Sequence, residues 1–380
     1  MNASNCNFFV TCAKGTEGAL RRELVALRIH GPSGATGGVS FAGTLMDGMK
    51  VCLHSRVAMR VLLEVGAFEA RDADGLYAGA HEVDWTDFVG RGMTIAVSAT
   101  TQDNPNLRHS GFSALKVKDA IVDMLRDRSG RRPDVNPRDP DVSVVLHVRG
   151  SEARLFVDLA GEPLHRRGYR VAMVDAPLKE SLGAAVLSLG GVAIDKPFID
   201  PMAGSGTLAI EHAMVVRGIA PGLRRHFGFE RWATSDQRKI WESLVKGARA
   251  KILAAAPCPI HARDIDKGAI AAARRNAEAA GVLSDITFEV ADVAGLAAQA
   301  PGGTLCTNPP YGERLEAPAS GSDVERLYAT MARSFDRMAG WRAVCLSGNP
   351  AFAKILKRRP TISHRLFNGP IETRLLVFDL

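Results

Sequence analysis

The chain has 380 residues, 46% of them hydrophobic and 23% charged, which provides a sizeable core and length for two or three domains. Such proportions exclude disordered and collagen-like chains, and no apolar run approaches the ~20 residues that a membrane-crossing helix needs. A formal charge of +7 favours a polyanionic partner. The six cysteines are scattered without a C-x-x-C pair, so neither a zinc site nor a disulfide framework is expected. The ten histidines form no H-x-x-x-H pair with a carboxylate, so no metal is expected. Without a basic segment leading into a long apolar stretch at the N-terminus, no secretory leader is read, and a cytoplasmic location with no membrane partner is expected.

Hydrophobic spacing predicts a strand over residues 7–12, a helix over 16–27, a short strand over 39–41, a helix over 45–55 and a strand over 61–68. This order suggests a small α+β unit ending near residue 70. In a second unit, residues 71–165, a strand is predicted over 93–100 and a helix over 113–126 with Leu115, Ile121, Val122 and Leu125 inward. Strands over 142–149 and 153–159, broken by Gly150, have the pattern of a hairpin. From residue 177 onward the chain alternates helix and strand as a doubly wound parallel sheet does. Helices are predicted over 178–189, 207–216, 237–253, 267–280 and 324–339, and strands over 197–200, 260–265, 286–290, 304–307, 343–347 and 373–378. The fold class is therefore α/β, with two small α+β units before a Rossmann-like domain.

Chemistry gathers at the ends of four of these strands. After the first comes Asp200-Pro-Met-Ala203-Gly204-Ser-Gly206-Thr207, where glycines at a strand-to-helix turn let the backbone approach a nucleotide closely. With Ala209 the loop also fits G-x-G-x-x-A, so a nicotinamide-binding reading must be weighed. The following strands end at Asp264, suited to two ribose hydroxyls, and Asp292, suited to an adenine amine; acids at such places also cap helices. The fourth ends in Asn308-Pro309-Pro310-Tyr311. An exocyclic base amine is a poor nucleophile because its lone pair is delocalised. An Asn oxygen and a backbone carbonyl can accept its two N–H bonds, the prolines stiffen the turn, and the Tyr ring offers a stacking face.

Asn-Pro-Pro-Tyr resembles the catalytic motif of S-adenosylmethionine-dependent methyltransferases that modify base amines. Over nearly its whole length the chain resembles the L portion of the bacterial K/L-type 23S ribosomal RNA guanine-N2 methyltransferases. The segments carrying this are Phe8 to Glu17, Ser113 to Asp123, Leu164 to Arg170, Ala176 to Leu182 and Ala220 to Trp232. The resemblance implies a ferredoxin-like domain (1–70), a THUMP RNA-binding domain (71–165) and a class I methyltransferase domain (166–380). It implies that Asp200, Ala203 (where many relatives carry Cys), Gly204, Gly206, Asp264 and Asp292 hold S-adenosylmethionine, and that Asn308, Pro309, Pro310 and Tyr311 hold the base. RNA, as 23S RNA or a large-subunit assembly intermediate, is the implied partner, delivered through Arg108, Lys116, Lys118 and the His165, Arg166, Arg167 and Arg170 segment. Basic pairs elsewhere, such as Arg131-Arg132, read as solvated helix faces. Because the chain ends after the last expected strand, one methylation rather than two is expected. A tRNA guanine methyltransferase, an adenine-N6 methyltransferase and a non-catalytic RNA assembly factor are the alternatives; nothing in a nicotinamide oxidoreductase calls for Asn-Pro-Pro-Tyr.

Overall fold

The computed structural model describes residues 6–130, 132–173, 177–232, 234–311 and 321–380; Arg131 and Ala176, named above, lie outside them. The chain opens with β1 (Cys6–Thr11), α1 (Glu17–Ala26), β2 (Ser33–Ala35), β3 (Gly38–Gly43), α2 (Leu45–His54) and β4 (Arg60–Glu69). It continues with α3 (Ala73–Glu82), β5 (Thr94–Gln102), α4 (Ser110–Ser129), β6 (Asp134–Val135), β7 (Val142–Arg149) and β8 (Glu152–Asp158). Local rules explain several boundaries. On β1, Phe8 and Val10 alternate into the core. α2 starts in a capping box, where the Asp47 N–H donates to Thr44 Oγ1 and the Thr44 N–H to Asp47 Oδ2.

These eight strands form a single sheet in the order β2-β3-β1-β4-β8-β7-β5-β6. β4 and β8 pair antiparallel around a bulge between Glu64 and Gly66, so the two small units share one hydrogen-bonded backbone. On α4 the buried side is Ser113, Val117, Ala120, Ile121, Val122, Met124 and Leu125, whereas Leu115 is 51% exposed. Leu115 was expected inward, but at ~100° per residue it lies on the far side of the helix from Val117.

A second sheet follows. Its elements are α5 (Glu180–Leu189), β9 (Phe198–Asp200), α6 (Thr207–Val216), α7 (Phe229–Trp232), α8 (Ser235–Arg249), β10 (Ile260–Asp264), α9 (Lys267–Ala280) and β11 (Ile286–Val290). Then come β12 (Gly303–Thr307), α10 (Gly321–Phe335), β13 (Trp341–Ser347), α11 (Phe352–Ile355), β14 (Ile362–Asn368) and β15 (Ile371–Asp379). The strand order is β11-β10-β9-β12-β13-β15-β14; β15 runs antiparallel to both its neighbours, the pairs from β11 to β13 parallel. All five residues of β12 and nine of the ten in α5 are buried, as expected for a parallel sheet covered by helices. The chain winds outward in both directions from the β9–β12 pair, which opens a crevice at the carboxyl ends of these strands.

A buried polar knot joins the two halves. Glu211 of α6, fully buried, accepts from Arg167 Nε at 3.4 Å and from the Tyr169 hydroxyl at 3.1 Å. Arg167 also donates to the Leu164 and Arg56 carbonyls, and Arg56 donates to the Met214 and Ile219 carbonyls at 3.2 and 2.7 Å. Glu23 of α1 receives the Arg56 N–H at 2.7 Å, and burial pushes its carboxyl above the usual range. Arg167 is 2% exposed. It was expected on an RNA-facing surface; it is instead a buried partner of Glu211.

Candidate active site

Four strand ends converge on one cavity of about 360 Å³. Asp200, Ala203, Gly204, Asp264, Asp292, Asn308, Pro309 and Pro310 line it together with Leu178, Ile265 and Leu327. The loop after β9 is tied to the end of β10: the Ala203 N–H donates to the Arg263 carbonyl, and the Gly204 N–H to Asp264 Oδ2, both at 2.8 Å. Asp264 Oδ1 accepts from the Asp266 N–H at 3.0 Å. Each carboxylate oxygen retains lone-pair capacity for a ligand hydroxyl. Asp292 both lines the cavity and caps the turn after it, accepting from the Ala294 N–H at 2.7 Å. Capping and a place on the cavity wall coexist in this residue.

Gly206 does not line the cavity. It begins α6 at φ +84°, and a Cβ there would lie 3.0 Å from the Ala273 Cβ of α9. Its work is to let α6 and α9 approach while the chain takes a left-handed turn. Asp200 is fully buried at the end of β9, where the Met202 N–H donates to it at 3.2 Å. Burial, with the Asp264 carboxylate adding to it, raises its carboxyl to about 8, so at neutral pH it holds a proton.

The Asn308 side-chain oxygen is buried and has no hydrogen-bond partner among the described residues. The Pro310 carbonyl already accepts from the Tyr328 hydroxyl at 2.9 Å. Tyr311 is 4% exposed, and its hydroxyl accepts from Asn368 Nδ2 at 3.1 Å. It does not line the cavity, so the expected stacking face is not presented there.

The expected RNA-contacting residues divide. Arg108 is exposed in the loop before α4, donating to the Pro105 carbonyl at 3.0 Å; Lys116 is half-buried beside the Phe112 ring, and Lys118 is half-buried and paired with Asp119. Arg166 is exposed and pairs with Glu162 at 2.9 Å. His165 is half-buried; burial first, then Lys179, Arg167, Arg166 and Arg225, bring its pKa to about 4, so it carries no charge at neutral pH. Arg170 is a second correction: it braces the cavity wall rather than an open basic surface. Its guanidinium donates to Glu180 Oε1, Ser205 Oγ, the Leu178 carbonyl and Thr207 Oγ1 at 2.8 to 3.1 Å.

Sequence reasoning missed Asn276. Fully buried on α9, it accepts the Val171 and Ala172 N–H groups and donates to the Ala172 and Ser205 carbonyls, all at 2.9 to 3.1 Å. The available signal was an amide within the apolar face of Ala269, Ile270, Ala273, Ala277 and Ala280. Among the described residues no group of three or more His, Cys, Asp or Glu is placed to hold a metal ion, and no helix is long and apolar enough to cross a membrane.

This sheet order, with a glycine loop, acid-ended strands and an Asn-Pro-Pro-Tyr turn at one crevice, defines a class I methyltransferase domain. Residues 167–376 match the model of the RMKL-like methyltransferase domain, and the chain belongs to that family. Residues 70–158 match the THUMP domain and 7–62 the ferredoxin-like domain named for RlmL. The ribosomal RNA large subunit methyltransferase K/L of Syntrophotalea carbinolica is 40% identical over 98% of this chain and 53% of its own length. The chain thus spans about half the length of the curated relatives it matches. A protein described as a methyltransferase and solved with S-adenosylhomocysteine aligns at a TM-score of 0.91 with 29% identity, covering 100% of this chain and 99% of that one. A Listeria monocytogenes protein described as an N6-adenine-specific DNA methylase aligns at 0.88 with 30% identity, covering 99% and 96%.

Proposed function

We propose that this chain transfers a methyl group from S-adenosylmethionine to an exocyclic amine of an RNA base, guanine N2 of 23S ribosomal RNA being the target. The observation that carries this is the buried, unpartnered Asn308 oxygen, set in the same cavity as the Asp200, Gly204, Asp264 and Asp292 series. The cavity fits the cofactor: about 360 Å³, a backbone loop for close approach, and carboxylates at two strand ends for hydroxyl and amine groups. The names of the K/L relatives and the THUMP match support RNA of the large subunit, as free RNA or an assembly intermediate.

When bound, the cofactor supplies an electrophilic methyl group on a positively charged sulfur. Asn308 Oδ1 accepts one N–H of the target amine, and the carbonyl of Pro309, which also lines the cavity, accepts the other. These two bonds turn the nitrogen lone pair toward the methyl carbon. A methyl group passing to that nitrogen would leave its electron pair on the cofactor sulfur, and the nitrogen would give one proton to water. Alignment and exclusion of water carry the acceleration. Asp264 would hold ribose hydroxyls and Asp292 the adenine amine.

The second reading is N6 methylation of adenine, favoured by the description of the Listeria relative and by the shared amine chemistry. Tritium transfer from labelled S-adenosylmethionine to RNA from cells lacking this gene, followed by nucleoside analysis, tests both. Label in N2-methylguanosine of the 23S fraction is expected. Label in N6-methyladenosine, or only in tRNA, replaces the substrate, and no label with any RNA overturns the reading.

A further inference from the structure

The Lys14–Gly15 turn after β1 belongs to the N-terminal segment that carries the family resemblance, yet the cavity makes no use of it. It packs on β14, the edge strand of the second sheet. Gly15, at φ +90°, lies so close that a Cβ would fall 2.3 Å from the Arg365 carbonyl oxygen. Only glycine fits there. The turn thereby sets Lys14 Nζ 4.5 Å from the centroid of the Phe367 ring, with the Arg365 guanidinium carbon 5.5 Å from the same centroid. Both are within cation–π range.

The hairpin of β14 and β15 pairs Arg365 with Arg374 and Phe367 with Glu372. These four share one face of the ribbon, while Leu366 and Thr373, paired on the other, are buried. Two exposed arginines directly opposite one another repel, an arrangement unfavourable to the hairpin itself. Glu372 pairs with Arg365 at 2.5 Å, and Glu17 is engaged by the N–H groups of Gly15 and Gly37. Among the described residues, Lys14 and Arg374 have no carboxylate partner. The same hairpin touches the catalytic turn, through Asn368 Nδ2 and the Tyr311 hydroxyl.

We propose that Lys14 and Arg365 at the Phe367 ring, with Arg374 opposite Arg365 on the same face, form a rim that binds phosphates of the RNA backbone beside the nucleotide being methylated. This rests on the RNA methyltransferase reading above. The excess of positive charge, held against its own repulsion and next to a turn that receives a base, matches a polyphosphate strand rather than an acidic protein. Phosphate contacts of this kind fix position without reading sequence.

The test uses the full chain, with K14Q, R374Q and the double variant beside K14R. For each, RNA affinity is measured across a salt series, with methyl transfer, cofactor affinity and melting temperature. The double variant is expected to raise KM for RNA at least fivefold at unchanged cofactor affinity. Its plot of log affinity against log salt should be shallower by about 0.7 for each phosphate that is no longer neutralised. K14R should behave as wild type. R374Q should melt at or above the wild-type temperature, since it removes a repulsion, whereas a merely structural arginine would leave a less stable protein. An active wild type whose variants keep KM and salt slope overturns the rim alone. A wild type that neither binds nor methylates RNA overturns the reading beneath it and the rim together.

Discussion

Asn308 and Asp200 carry the sharpest tests at the scale of single residues. Asn308→Ala removes an amine acceptor without touching the glycine loop, so turnover is expected to fall by about 10²–10³ while cofactor affinity stays within twofold. Single-turnover kinetics and calorimetric titration check it, and unchanged turnover would refute the catalytic role. Asp200 gives a pH test. Its folded carboxyl keeps a proton up to about 8, whereas an exposed one loses it near ~4, so across that window the folded state binds more protons. Stability must then fall as pH rises through the window. In Asp200→Asn that contribution is absent, and the variant should gain in melting temperature relative to wild type from pH 5 to 8; parallel profiles would mean that Asp200 is ionised. At this scale the sequence was legible where residues sit at strand ends. It was not where an arginine meets a partner far along the chain: Arg167 and Arg170 look like surface cations until Glu211 and Glu180 are placed against them. Nor does the motif reveal that the Tyr311 ring is buried.

Elements were legible in proportion to their apolar regularity. α6, α9 and β11 fall at the predicted bounds: α6 is a nearly continuous apolar run, α9 buries Ala269, Ile270, Ala273, Ala277 and Ala280 at helical spacing before Gly281, and β11 carries Ile286, Phe288 and Val290 in alternation. α3 was missed: its sequence, ADGLYAGAHE, buries only Leu76 and Ala80, too few positions to mark a period. β14 was missed as well, since Ile362, Ser363 and Arg365 are exposed and only Leu366 and Asn368 are buried. What the element scale adds is the contact of α6 with α9 at Gly206. Gly206→Ala would force a side chain onto a φ of +84° and against Ala273. It is expected to lower stability by about 1–3 kcal/mol and to weaken cofactor binding tenfold or more, because α6 carries the loop. Thermal melting and titration check this, and wild-type affinity would show that the loop is set independently of the helix.

For the whole molecule, the sequence suggests three successive units, whereas the β4–β8 pairing and the knot around Glu211 tie them to one another. Arg167→Leu would leave Glu211 buried beside a hydrocarbon and is expected to cost about 3–5 kcal/mol. Because the knot spans α1, the loop after β8 and α6, calorimetry should give one transition for the full chain, displaced as a unit in this variant. Two separable transitions, with only one displaced, would contradict that. A sequence read for composition and motifs cannot disclose such a joint, since its members are ordinary residues at Glu23, Arg56, Arg167 and Glu211 whose meeting is a property of topology.

The seating of Gly15 on Arg365 also orders events during translation. The turn leaves the ribosome 350 residues (365 minus 15) before the strand that will receive it. At ~5–20 residues per second the interval is roughly 20–70 seconds. Throughout it the nascent N-terminal sheet must persist with that face wet, and its lysine is free to meet any passing nucleic acid. Docking of the β14–β15 hairpin is then a late seam, joining an early-made part to the Asn308–Tyr311 turn only once synthesis has passed both.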